Sequence, residues 1–168
     1  MQKRFTVLLI TILALGCFVS TAWAEMKVAF VDVAEVFDKY EKTKEADKRL
    51  SEVGKNKQAL RDSYVQDIRR MQDELVVLSN DKKAGKQEQI DKKIRELKQF
   101  DDQVRKELRE ERDEAIKGII EEIDKKVTAI GKAGNYDMVI NSRLLLYKND
   151  AFDITQDVMT QLNKEYKK

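Results

Sequence analysis

The sequence has no proline and no histidine among its 168 residues, and it has a single cysteine. The absence of proline allows long uninterrupted helices, because proline is the residue that breaks a helix most strongly. Without histidine, an acid–base or metal site would have to be built mainly from carboxylates. The carboxylates here alternate with lysine and arginine at helical spacing, which is typical of solvated, salt-bridged surfaces rather than of a catalytic pair. We therefore predict a protein that is not an enzyme, with no metal and no cofactor.

The first residues have the pattern of a secretory signal peptide. Two basic residues precede an apolar run over 6–16, and small residues lie before a cleavage point after Ala24. We predict a signal peptide over 1–24 and export from the cytoplasm. Two alternatives stay open. One is lipidation at Cys17, although lipoprotein signals have leucine three positions before the cysteine and this chain has Ala14. The other is a membrane anchor, for which the apolar run is short.

The charge balance changes when the leader is removed. The 33 basic residues lose Lys3 and Arg4 and fall to 31, which equals the 31 acidic residues. A net charge of zero argues against a nucleic-acid-binding protein or one held at a membrane by charge. A charged fraction of 38% without proline instead indicates long helices with much exposed surface.

The middle region, 41–132, is predicted to form a helical hairpin. Its apolar residues follow the alternating three-and-four spacing of a coiled-coil seam. The polar stretch 79–86 contains Gly85 and is predicted to be the turn at the tip. In that hairpin, seam partners have position numbers that add up to 168, such as Leu60 with Leu108. One straight coiled coil in a parallel dimer is the alternative. The predicted seam consists of Leu50, Val53, Leu60, Tyr64, Ile68, Met71, Leu75 and Leu78, followed by Ile90, Ile94, Leu97, Val104, Leu108, Ala115, Ile119, Ile123 and Val127.

The two ends of the mature chain, 25–40 and 133–168, are predicted to form a small body that contains β-strands. Strands are expected over 27–33, 136–141 and 144–147, and helices are expected after Asp32 and Asp153. The predicted fold class is α+β, with a long antiparallel coiled-coil hairpin projecting from the body. Three short strands leave open edges that oligomerisation would cover. The residues expected in this oligomerisation body are Val28, Phe30, Val31, Met138, Val139, Ile140, Leu145 and Tyr147.

Three sets of residues in the hairpin are candidates for function. Apolar side chains near the tip are candidates for contact with unfolded partner proteins, although a wide seam would also explain them. Lysines at the tip are candidates for contact with acidic proteins or an anionic membrane, although a solvated turn is the favoured explanation for them. Glycines beside a polar step in the seam are candidates for a hinge, because glycine weakens a helix. The sets are Met71, Val76, Val77 and Phe100 for contact, Lys82, Lys83 and Lys86 for the basic tip, and Gly54, Lys57, Glu111 and Gly118 for the hinge.

The mature chain as a whole resembles the Skp (OmpH-like) family of periplasmic chaperones. The resemblance is carried by the order of three features after the signal peptide. The features are the opening strand Val28-Ala29-Phe30-Val31-Asp32 with Val36-Phe37, the long proline-free hairpin, and the closing segment Tyr136-Asp137-Met138-Val139-Ile140-Asn141 with Tyr147, Asp153-Ile154-Thr155, Val158 and Leu162.

This resemblance implies a periplasmic homotrimer in which the end strands of three chains share a barrel and three hairpins surround a cavity. Unfolded outer-membrane β-barrel proteins would be held in the cavity without ATP. The chain departs from the well-known members, which are markedly basic, since its mature charge is balanced. A structural or adaptor coiled-coil protein of the envelope, with or without a lipid anchor, is the alternative. A prefoldin-like cytosolic chaperone would share the shape but not the signal peptide.

Overall fold

The computed structural model describes residues 26–167. The predicted signal peptide, with Cys17 and the cleavage point after Ala24, lies outside the described residues. No helix between residues 26 and 167 is long and apolar enough to cross a membrane. The elements in chain order are β1 (Val28–Val31), α1 (Val33–Lys39), α2 (Glu41–Val77), α3 (Asn80–Ala133), β2 (Met138–Asn141) and α4 (Thr155–Tyr166), with short 3-10 turns at Ser142–Leu144 and Asp150–Phe152.

Helices α2 and α3 lie side by side as an antiparallel hairpin, which we call the arm. Helix α2 has 37 residues and is therefore about 55 Å long at 1.5 Å per residue. Ion pairs connect the two helices from Lys42–Glu122 near the body to Glu74–Lys86 near the tip. The prediction of a hairpin is confirmed, and a single straight coiled coil is not observed.

The turn of the arm is shorter than the sequence predicted. Helix α2 ends at Val77, Leu78 and Ser79 are extended, and α3 begins at Asn80. The predicted polar turn over 79–86 is therefore wrong beyond its first residue. The stretch contains three lysines and one alanine, which are good helix formers, and one glycine does not offset them.

The earlier turn shifts the register of the arm by about one helical turn. Lys57 was predicted to pair with Glu111, but its Nζ atom lies 2.9 Å from an Oε atom of Glu107. Tyr64 was predicted to face Val104, but its ring packs against Phe100 with 5.4 Å between the ring centroids. Both observed partners lie four residues earlier in the chain than the predicted ones. The position sum of 168 is therefore wrong.

The body contains a two-stranded parallel sheet. Strand β1 pairs with β2 so that Val28 lies opposite Met138 and Val31 lies opposite Asn141. The whole arm forms the connection between the two strands. Beyond this pair, Phe30 forms an isolated bridge with Asp153 on the other edge of β1. Strand β1 therefore lies between β2 and the start of the last helical segment.

The predicted third strand at 144–147 is not formed among the described residues. A tight turn at Ser142-Arg143 would have returned the chain alongside β2. Instead, the side chain of Asn141 accepts a hydrogen bond from the Arg143 amide at 3.2 Å and begins a 3-10 turn. The chain then continues toward β1, and Leu146 and Tyr147 are exposed.

The core of the body lies between α1, α4 and the end of the arm that enters the body. We call that end, residues 41–46 of α2 and 118–130 of α3, the root. Buried residues of four elements, β1, α1, α3 and α4, meet in the core, which explains why no single segment reveals it. The buried core residues are Ala29, Val31, Val36, Tyr40, Ile119, Ile123, Ile154, Val158 and Leu162.

Local sequence signals explain how the helices begin and end. Asp32 accepts a hydrogen bond from the Glu35 amide at 2.9 Å and so caps α1 as predicted. Asp153 accepts one from the Thr155 amide at 2.8 Å at the start of α4. Gly134 is the C-cap residue at which α3 ends, and an added Cβ atom there would clash with the ring of Tyr136. The chain then turns through a left-handed residue, Asn135, with φ of 50°.

Candidate functional site

Ion pairs connect the two helices of the arm along its flanks. Besides the Lys57–Glu107 pair, Arg49 lies 3.2 Å from Glu111 and Arg61 lies 3.1 Å from Asp101. Toward the root, α2 supplies the cations and α3 supplies the anions. The order is reversed near the tip, where Glu74 of α2 pairs with Lys86 of α3. Opposite charges on facing helices could have revealed this series, but only with the correct register.

The apolar seam of the arm is thin. Between root and tip, Ile68 and Ile90 are buried, with 7% and 1% of their surfaces exposed. By contrast, the predicted seam residues Leu60 and Ile94 are 48% and 45% exposed. A two-helix arm can cover only one narrow stripe, so apolar side chains are left at its surface.

The predicted contact residues divide into two environments. Val76 and Val77, in the last turn of α2, are 76% and 85% exposed. Met71 is half-buried, and Phe100 is half-buried against Tyr64. The valines thus form an apolar surface at the tip, whereas Phe100 contributes to the packing of the arm. Their role in binding stays a prediction.

The three tip lysines also differ from one another. Lys86 pairs with Glu74 across the arm, which holds the pKa of that carboxyl below its ordinary value. Lys82 is exposed and Lys83 is half-buried. The positive charge available at the tip is therefore smaller than the sequence indicated.

The hinge residues lie next to open space in the arm. An added Cβ atom at Gly54 or Gly118 would meet no other atom within 4 Å. Gly118 lines a groove of about 940 Å³ between α2 and α3 at the root, and Gly54 lines a smaller one of about 260 Å³. Close packing therefore does not explain either glycine. The predicted Lys57–Glu111 step is wrong, because Glu111 pairs with Arg49, but the hinge itself stays a prediction.

The body carries several exposed apolar side chains. Met138 is 48% exposed, Leu146 is fully exposed, and Tyr147 is 84% exposed. Other members of the predicted oligomerisation set are buried in the single chain, such as Phe30 and Val31. Sequence reasoning did not select Leu144, Leu146 or Phe152, which are also exposed.

Tyr40 is the main buried polar group at the root. Its hydroxyl donates a hydrogen bond to Glu122 at 3.1 Å, and Lys42 pairs with the same carboxylate. Burial, and then the negative charge of Glu122, raise the pKa of Tyr40 to about 12. The phenol therefore stays neutral and fixes α2 to α3 at this point. Sequence reasoning did not identify the contact of Tyr40 with the arm.

Among residues 26–167, no three acidic or other metal-ligating side chains are grouped so that they could hold a metal ion. Several acidic side chains of the arm instead pair with lysine or arginine, as Glu107 and Asp101 do.

The fold is that of a protein with a small α+β body and one long helical arm. The model of the OmpH-like outer membrane protein family matches residues 27–162, which is most of the chain. The chain therefore belongs to the OmpH-like family. This assignment indicates a chaperone role and a periplasmic location, and the family is generally non-enzymatic.

Solved structures show the same fold. Seven chains match, among them a Caulobacter crescentus protein described as a candidate outer membrane chaperone (OmpH-like). It superposes with a TM-score of 0.77 and 15% sequence identity, over 84% of this chain and 86% of that chain. No curated protein sequence matches significantly.

Proposed function

We propose that this protein is an ATP-independent holding chaperone that captures unfolded outer-membrane β-barrel proteins in the periplasm. The observation that carries the proposal is a thin arm about 55 Å long that leaves Val76 and Val77 exposed in water at its tip. Unfolded barrel proteins expose alternating apolar strands that aggregate through their edges. Arms around such a chain would keep those edges apart from other chains.

The proposal includes assembly into a homotrimer through the body. Strand β2 has an open edge in the single chain, and the body also exposes Met138, Leu146 and Tyr147. An open strand edge and exposed apolar side chains both favour association, and pairing with further copies would cover both. Three arms on one body would then enclose a space for the client.

Weak contacts suit this role better than tight ones. The valines offer aliphatic surface without directional hydrogen bonds, so they can contact many sequences. Open space at Gly54 and Gly118 would let the two helices of an arm move apart for larger clients. With a balanced net charge, long-range attraction contributes little, and apolar contact with enclosure provides the binding.

The test is an aggregation assay with several unrelated unfolded barrel proteins and no nucleotide. The wild type should suppress aggregation of all of them, and Val76→Ser with Val77→Ser should reduce suppression several-fold. The matched control carries Gln72→Ser and Gln89→Ser, which change exposed polar residues of the arm. Binding of one folded partner only, without suppression of aggregation, would favour the adaptor role and contradict the proposal.

Native mass spectrometry tests the assembly. The wild type should give the mass of three chains, and Leu146→Glu with Tyr147→Glu should give single chains, because charge would enter the apolar surface. The valine variant of the tip serves as control and should stay trimeric. A mass of two or four chains would contradict the trimer and leave the holding activity unaffected.

A further inference from the structure

The two helices of the arm enter the body in different ways. Helix α3 continues without a break from the tip to Ala133, and its Ile119 and Ile123 lie in the core. Helix α2 is separated from α1 by one extended residue, Tyr40, with φ of −66° and ψ of 128°. The joint at Tyr40 is therefore the place where α2 can rotate away from α3.

The joint does not supply its own helix cap. Tyr40 occupies the N-cap position of α2 but makes no side-chain hydrogen bond to the free amides of the first turn. The side chain of Asn163, in the last turn of α4, accepts a hydrogen bond from the Glu41 amide at 2.9 Å instead. A residue 122 positions later thus caps the first turn of the arm.

The same turn of α4 contacts both helices of the arm. The hydroxyl of Tyr166 donates a hydrogen bond to Glu45 on α2, and its ring packs edge-on against Tyr40 with centroids 5.8 Å apart. Glu165 pairs with Lys126 on α3, whose side chain is only 13% exposed. The inner face of α4 is fixed in the core through Val158 and Leu162. The end of α4 is thus anchored where it meets the arm.

We infer that the last turn of α4, residues 163–166, is a clamp that limits how far α2 opens away from α3 at the root of the arm. The clamp joins Asn163 and Tyr166 to α2 and Glu165 to α3, and Tyr166 itself lines the large groove between the helices. Release of these contacts would leave α2 held at this point by the joint, by Tyr40 and by the pair of Lys42 with Glu122. The groove, lined by Ala46, Ala115 and Gly118, would then widen.

The consequence for clients rests on the proposed function. An arm whose helices separate at the root covers a wider area and adapts more easily to the shape of a client. The clamp would therefore set the size of client that one arm can contact. The clamp itself can be measured with no client present, which separates the two proposals.

The test uses the mature protein, which has no cysteine once the leader is removed. Spin labels are attached at Lys55→Cys on α2 and Arg109→Cys on α3, which are exposed and make no ion pair in the described chain. Labelled protein is diluted with unlabelled protein so that distances are read within one chain. Asn163→Ala should broaden the distribution of distances between the two labels. It should also speed hydrogen exchange of the Glu41 amide about five-fold, as expected for the loss of one helix cap.

Three further variants make the test specific. Asn163→Asp keeps the acceptor oxygen and should restore both the narrow distance and the slow exchange. Lys164→Ala changes an exposed neighbour on α4 and should alter neither. Tyr166→Phe removes only the bond to Glu45 and should give part of the broadening, which keeps the test valid if Asn163→Ala loses its fold.

The clamp would be overturned if Asn163→Ala and Tyr166→Phe both kept the label distances and the amide exchange rate of the wild type. It would also be overturned if Lys164→Ala changed them as much as Asn163→Ala does. Broadened distances with unchanged holding of clients would remove its link to client size while the clamp itself stands. A wild type that holds no unfolded protein would contradict the proposed function and leave the distance results unaffected.

Discussion

Replacement of Ile90 by alanine should loosen the outer half of the arm without affecting the body. Ile90 is 1% exposed and, with Ile68, provides the buried apolar surface between root and tip. The change removes three carbon atoms, which corresponds to about 2.5 kcal/mol at about 0.8 kcal/mol for each. Cavity formation adds to this figure in closed cores, but two helices can collapse around the gap. We therefore expect a loss of about 2 to 3 kcal/mol.

Hydrogen exchange measured by mass spectrometry is the suitable assay, because it reports local opening for each peptide. Since 1.4 kcal/mol is a factor of ten, amides of the outer arm should exchange about 30 to 150 times faster in Ile90→Ala. Peptides that contain the core residues Val36 and Val158 should keep their wild-type rates.

The matched control is Ile94→Ala on the same helix, one turn further along. Ile94 is 45% exposed, so its replacement should change exchange only slightly, within the range of about 0.5 kcal/mol found for surface substitutions. Equal effects of the two replacements would show that the arm does not depend on the buried stripe. A uniform acceleration that includes the body would show that arm and body unfold together, and either result would refute the reasoning.

Three further predictions concern the hinge, the ion pairs and the first helix cap. Gly54→Ala with Gly118→Ala should stabilise the arm by up to about 1 kcal/mol for each residue and narrow the distance between spin labels on α2 and α3; unchanged arm mobility would refute the hinge. Lys86 and Lys57 lower the pKa of Glu74 and Glu107 below the ordinary value of 4.5, so this stabilisation is present above that pH and is lost as the pH falls through the lowered values. The melting temperature of the helices, measured by circular dichroism, should therefore decrease as the pH falls below about 4.5. A melting curve at pH 3 that matches the curve at neutral pH would contradict this. Asp32→Ala should lower the free energy of unfolding by about 1 kcal/mol in thermal melts, whereas Asp32→Asn keeps an acceptor and should lose less.

Much of the architecture was predictable from the sequence because it depends on local patterns. The three-and-four spacing of apolar residues predicted two helices over 41–132, and the structure has them at Glu41–Val77 and Asn80–Ala133. Asp32 was predicted as a cap from its type and its place before an apolar stripe. Helical period and capping involve residues within a few positions of each other, so the chain reveals them directly.

The register of the arm was not predictable, because two regular seams align at several offsets. Lys57 has acidic residues one turn apart on the facing helix, at Glu107 and Glu111, and pattern alone does not choose between them. The choice is made by the turn, where Leu78 and Ser79 suffice to reverse the chain. The helix formers that follow Ser79 extend α3 further than a polar composition indicates.

The sequence by itself determined the helices, their amphipathic faces and the family resemblance, since each depends on residue types at short spacing. Only the tertiary structure decided that β1 and β2 pair in parallel across the whole arm, and that 144–147 leaves Leu146 and Tyr147 in solvent. It also decided that Asn163 caps the Glu41 amide. These features join residues far apart in the chain, and their free energy comes from contacts that exist only after the body has closed around its core.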